Sequence, residues 1–139
     1  MGRVRERRRI TEAALVASVL SGAPSTLHAL ATTRSLTATA RYALDATRAI
    51  GALVPPFRPG LVRGAIAHVA ISVAMAEVLA HALPRRRSLL AGAGGGLAMG
   101  LVNVGVVGRR VPPIRALPLG PQLADNAAFG LVFAAVADR

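Results

Sequence analysis

The sequence predicts an all-α integral membrane bundle of about four transmembrane helices plus one interfacial amphipathic helix, and three observations carry that expectation. Apolar residues make up 53% of the 139, and mean hydropathy is +0.52, a balance that suits a membrane protein better than a soluble domain of this length. Residues 88–108 run without one charge, and 21 residues are enough to cross a bilayer as a helix. The arginines gather at the ends of apolar stretches, where interfacial anchors sit. A chain this short holds one such bundle, so residues 1–139 form a single domain.

The basic flank of Arg3, Arg5, Arg7, Arg8 and Arg9 opens the chain and is of the kind that stays cytoplasmic. The first span, 10–31, is apolar from Ala13 to Leu20 and then meets Pro24 among Ser21, Ser25, Thr26 and His28. An internal proline removes one backbone hydrogen bond and kinks a helix, and a nearby Ser or Thr can satisfy the freed carbonyl. A basic start, a short apolar core and Ala29-Leu30-Ala31 also read as a signal peptide. The stretch from Ser21 is long for a cleavage region, which favours an uncleaved, kinked helix.

Residues 33–51 change character. Arg34, Arg41 and Arg48 recur every seven residues with Asp45 between them, while Leu36, Ala40, Ala43, Leu44 and Ile50 lie largely elsewhere around the helix. This is an amphipathic helix suited to lying along the membrane surface. Pro55, Pro56, Pro59 and Gly60 then turn the chain into the second span, 61–83. The third span, 88–108, carries Gly92, Gly96, Gly100 and Gly108 at spacings of four or eight. In a helix these form one smooth ridge that admits a neighbouring backbone, as small-xxx-small packing does in lipid. Seven glycines would cost a water-soluble helix about 1 kcal/mol each relative to alanine, whereas a bilayer enforces the helix. The ridge is therefore expected at the bundle centre. In the fourth span, 118–137, Pro121 suits a first turn, and Asn126, Gly130 and Ala134 form a small-residue face ready to meet the ridge.

Orientation follows from the arginines. Four crossings with the N-terminus inside put nine arginines in the cytoplasm and eight outside, whereas a first segment that dips and returns gives 13 inside and four outside. The positive-inside rule prefers the second arrangement, and length and apolarity prefer the first.

Ionisable groups in a span are costly and mark the first place to look for function. An up-and-down topology puts His28, His68, Asn103 and Asp125 roughly 6–11 Å below one membrane face, with Ser25, Thr26 and Asn126 in the same layer. Two histidines and an aspartate from separate helices could share a proton, bind a cation or hold a polar solute; equally, they could only hydrogen-bond helix to helix. Glu12, Glu77 and His81 make a second layer near the opposite face, beside the arginines at 85–87, where acidic groups commonly neutralise an arginine cluster.

Several chemistries are set aside. No cysteine means no disulfide, Cys-type zinc site or thiol chemistry. All 17 basic residues are arginine, so no Walker-type loop with its lysine exists, and neither a Gly-x-Ser-x-Gly elbow nor a His-Glu-x-x-His occurs. A net charge of +11 would suit nucleic acid in a soluble protein; arginines at span ends point instead to anionic lipid head groups, with no nucleic acid as partner. No cofactor is expected. The chain lacks the Thr-Thr-Phe-Ser break of fluoride channels and the single mid-helix glutamate of small multidrug transporters. In size and hydropathy it resembles small four-helix membrane proteins of high-GC bacteria. That likeness spans the chain, rests on no specific motif and implies a multi-pass protein of the inner membrane. Three roles stay open: a permease- or channel-like protein, as a homo-oligomer, using the polar layer; a non-catalytic structural or accessory subunit of a membrane complex; and a membrane-embedded metal-dependent enzyme.

Overall fold

The computed structural model describes residues 2–84 and 88–138, with side chains from Val4 onward. Arg85, Arg86, Arg87, Arg139 and the side chain of Arg3, all counted above in basic flanks, lie outside the described residues. The described secondary structure is entirely helical. Its elements are α1 (Gly2–Leu20), α2 (Ala23–Thr33), α3 (Leu36–Ile50), a 3₁₀ turn (Gly51–Leu53), α4 (Leu61–Ala82), α5 (Leu89–Val102), a π-helical segment (Asn103–Gly108), α6 (Pro112–Arg115) and α7 (Leu119–Ala137).

Three helical runs are long and apolar enough to cross a membrane: Val4–Thr33, Leu61–Ala82 and Leu89–Gly108. The first combines α1 and α2 across a bend. The bend falls at Ser21 and Gly22, ahead of Pro24, which occupies the second position of α2, where a missing N–H is harmless. α1 also begins earlier than the apolar pattern does, so Arg5, Arg7, Arg8 and Arg9 sit exposed on its first turns. α2 ends in a left-handed residue, Arg34 (φ 51°), whose N–H bonds the Leu30 carbonyl at 2.8 Å. Ser35 then starts α3 by accepting the Ala38 N–H at 3.3 Å, and Ser88 starts α5 by accepting the Ala91 N–H at 3.1 Å.

The buried core joins three helices: Ile10, Ala13, Ala14 and Ala17 of α1, Met75, Ala76 and Leu79 of α4, and Phe129, Phe133 and Ala137 of α7. Alanine at 13, 14 and 17 of α1 lets α7 approach closely, and the Phe133 ring fills the remaining space with no exposed surface. α7 is the central element, packed against α5, α1 and α2 and more lightly against α4.

This corrects the expectation that the glycine helix is central. α5 lies at the edge, with its main contact on α7 and little on α4. A glycine ridge serves one partner, and the other faces of α5 carry Leu90, Leu97, Leu101 and Val102, all exposed. On its inner face, a Cβ on Gly92 would collide with the Gly130 carbonyl, one on Gly96 with the Asn126 carbonyl, and one on Gly100 would lie 2.7 Å from the Asn126 Cβ. Gly108 leaves this ridge. The π-helical turn winds the backbone more widely than an α-helix, and a Cβ there would sit 3.1 Å from Ile114 of α6, away from α7.

A second close crossing joins α3 to α4. A Cβ on Gly64 would collide with the Thr47 carbonyl, and one on Gly51 would lie 2.6 Å from the Gly60 carbonyl. The surface of α3 divides in three. Thr39, Tyr42, Ala46 and Ala49 turn inward, Leu36, Ala40 and Leu44 form an exposed apolar stripe, and Arg41, Asp45 and Arg48 form an exposed charged one. Arg48 pairs with Asp45 at 2.8 Å.

Candidate functional site

The bend between α1 and α2 interrupts the backbone ladder, and polar side chains from two other helices meet it there. The last bond of α1 runs from the Ser21 N–H to the Ala17 carbonyl, 2.8 Å. The next acceptor, the Ser18 carbonyl, receives Nε2–H of His68 on α4 at 3.0 Å. That contact fixes the tautomer, because a carbonyl can only accept. On the far side of the bend, the Ser25 N–H in the first turn of α2 donates to Oδ1 of Asp125 on α7 at 2.9 Å. A helix start has four N–H groups without internal partners and a partial positive charge, so a carboxylate there is favourable twice over. The Ser25 and Thr26 hydroxyls both donate to the Gly22 carbonyl, at 3.2 and 2.7 Å.

His68 and Asp125 thus hold the two ends of one broken helix. Tyr42 lies on the inward face of α3. Burial first, and the Asp125 charge second, push the Tyr42 phenol above its ordinary value. The assembly draws on α1, α2, α4 and α7. A carboxyl group and an imidazole at the two ends of a helix break can hold a proton or orient a small polar group.

The rest of the first polar layer goes elsewhere. His28 is exposed on the outer side of α2, and Thr26 is exposed as well. Asn103 turns towards α4, its Nδ2 donating to Sδ of Met75 at 3.6 Å. Asn126 is the next residue after Asp125 but faces α5, and its Nδ2 donates one turn back to the Gln122 carbonyl at 2.8 Å. The second layer also separates. Glu12 pairs with Arg8 on its own helix at 2.7 Å, both side chains being largely exposed. The His81 Nδ1 donates to the backbone carbonyl of Glu77 at 2.7 Å, while the Glu77 side chain is half-buried. Among the described residues, no three His, Asp or Glu side chains group as a metal site would require.

Three participants escaped the sequence reading. Ser18 contributes through its backbone, so its side-chain type carries no signal. Tyr42 had one: it is the only tyrosine, and it stands on a different face of α3 from the arginine stripe. Gln122 ties the entry of α7, its Nε2 donating to the carbonyls of Leu117 at 3.0 Å and Pro118 at 3.3 Å. Comparison with family models, with curated proteins and with solved structures finds no match for this chain.

Proposed function

We propose that this chain is a small multi-pass protein of a bacterial inner membrane, with α7 as a fourth crossing, α3 lying in the interface, and a non-catalytic structural or accessory role. The observation that carries the role is that both ionisable groups at the break bond to backbone: Asp125 to the Ser25 N–H and His68 to the Ser18 carbonyl. Groups engaged in this way fix helix register, and a protein built around them suits assembly with itself or within a larger membrane complex. For the fourth crossing, the 19 residues of α7 span about 28 Å, close to the apolar thickness of a bilayer. For the interfacial helix, the apolar and charged stripes of α3 lie side by side on its exposed surface, as a helix at a lipid–water boundary requires. The arginine flanks would rest against anionic head groups.

A permease- or channel-like role is the second reading, and one observation favours it. A discontinuous helix with ionisable groups from two other helices at its break is how many transporters build a site within the bilayer. Reconstitution in liposomes with an internal pH-sensitive dye separates the two. The structural reading expects Asp125→Asn and His68→Ala to lower resistance to unfolding and leave proton leak unchanged. Proton flux in the wild-type protein, abolished in both variants while they remain folded, would replace it with the second reading. The absence of cysteine makes topology direct: single cysteines at Arg5, Arg110 and Asp138 are labelled by a membrane-impermeant maleimide. Four crossings place positions 5 and 138 on one side and 110 on the other. Labelling of 138 together with 110 would remove the fourth crossing.

A further inference from the structure

The π-helical segment, α6 and the start of α7 enclose a cleft of about 260 Å³ that takes no part in the bend. Its walls are apolar, with Leu101, Val104 and Leu123 among them, and Arg109 and Arg115 stand at its edge beside Gln122. Both arginines are exposed and make no ion pair or hydrogen bond among the described residues. The fold brings them together by an irregular route. The π-helical turn ends at Gly108, the chain turns through Val111, and the single turn of α6 ends at Arg115, so that both arginines line one cleft. A π-helical turn widens the backbone locally and is found often at binding sites. Here its glycines help make the space: Gly105 has no atom within 4 Å of where its Cβ would be.

Two unpaired guanidinium groups at the rim of an apolar cleft match an anion carried on an apolar tail. Guanidinium is the side chain best fitted to a phosphate, and the walls would shield the first carbons of a chain from water. The volume lies below the about 300 Å³ of pockets that enclose a drug-sized ligand, so it admits part of a molecule, with the remainder outside. The position of the cleft, where α5 ends and α7 begins, is the level of head groups on the side that also carries α3.

We infer that this cleft holds one anionic phospholipid, with its phosphate between Arg109 and Arg115 and the start of an acyl chain against Leu101, Val104 and Leu123. The inference rests on the membrane reading above. It differs from a general attraction of the arginine flanks to anionic lipid, because it names one site and two residues.

The test is native mass spectrometry of the full chain released from nanodiscs containing equal parts of phosphatidylglycerol and phosphatidylcholine. Wild type should retain one phosphatidylglycerol selectively. Arg109→Gln with Arg115→Gln should lower that retention by roughly tenfold or more, while Arg41→Gln with Arg48→Gln, which removes the same charge from α3, should leave it within twofold. Equal loss in both pairs would overturn the site in favour of diffuse electrostatics, and so would equal retention of the two lipids by wild type. Inorganic phosphate at millimolar concentration should not displace the lipid; displacement would show an anion site with no role for the tail, and overturn the proposal. Carbonate extraction of wild type is done first. Release into the soluble fraction would defeat the membrane reading itself, whereas retention with no selective lipid would defeat only the cleft.

Discussion

α5 and α7 lie against each other along most of their length, yet they are built on opposite terms. α5 is apolar throughout, with five glycines among its 14 residues, and much of its surface stays uncovered. α7 carries Pro121, Gln122, Asp125 and Asn126, and every residue from Pro121 to Phe129 is at least half-covered. On the membrane reading proposed above, the difference teaches that apolarity selects contact with lipid, while polarity selects contact with protein. Lipid is as apolar as leucine, so a leucine gains little by leaving it, whereas an aspartate must find partners inside the bundle. The helix that looks most like a transmembrane span therefore sits at the edge, and a helix with polar residues through its first half, Gln122, Asp125 and Asn126, holds the centre.

The contact between them is the sharpest place to break the comparison. Gly96→Leu forces a side chain into the Asn126 carbonyl, and close-packed backbones cannot yield as a flexible side chain would. It should cost at least about 3 kcal/mol and prevent recovery of monodisperse protein, measured by size-exclusion chromatography and SDS unfolding. Gly94→Leu, two residues away, enters open space and should be neutral or slightly stabilising through helix propensity. Equal damage from both would mean that α5 is enclosed on both faces and that the edge position is wrong.

The polar half of α7 comes next. Asp125→Ala leaves the Ser25 N–H without its partner, an orphaned donor worth about 1–3 kcal/mol. Amide exchange at Ser25 should rise at least tenfold, while amides in the middle of α5 stay as protected as in wild type. A uniform rise along all helices would assign Asp125 to global packing and remove its specific hold on the bend. Gln122→Ala frees the carbonyls of Leu117 and Pro118, which lie nearer the surface and can find water. Its expected cost is about 1 kcal/mol, read as a small drop in resistance to unfolding with exchange rising only at the start of α7.

The sequence disclosed some of this and concealed the rest for a physical reason. Helical periodicity and the four-residue glycine spacing give the contacting face of α5, because that face is set by local geometry. Counting 1.5 Å per residue places His68 and Asp125 at one level, and the structure brings both to the same bend. Azimuth was not legible. Asp125 and Asn126 share a depth but point about 100° apart, one to α2 and the other to α5. His28 shares the depth and faces outward. The bend was attributable to Pro24 from sequence, whereas it lies at Ser21 and Gly22; proline is tolerated just inside a helix start, so it marks the beginning of α2. The π-helical turn that removes Gly108 from the ridge has no pattern that a four-residue count can detect.

The smallest effect tests the outer limit of the comparison, the difference between polar residues within the bundle and polar residues on its flanks. Glu12 and Glu77 fall at similar depth, but Glu12 pairs with Arg8 one turn away, with 53% of its own side chain and 79% of the arginine's exposed. Exposed pairs of this spacing contribute little, because water and salt already screen both charges and holding two long side chains costs entropy. Glu12→Gln should therefore change resistance to unfolding by no more than about 0.5 kcal/mol, and raising salt in the wild-type protein should have as small an effect. A loss above about 1 kcal/mol would place Glu12 in an interior network, and the flank would then follow the rule that governs α7.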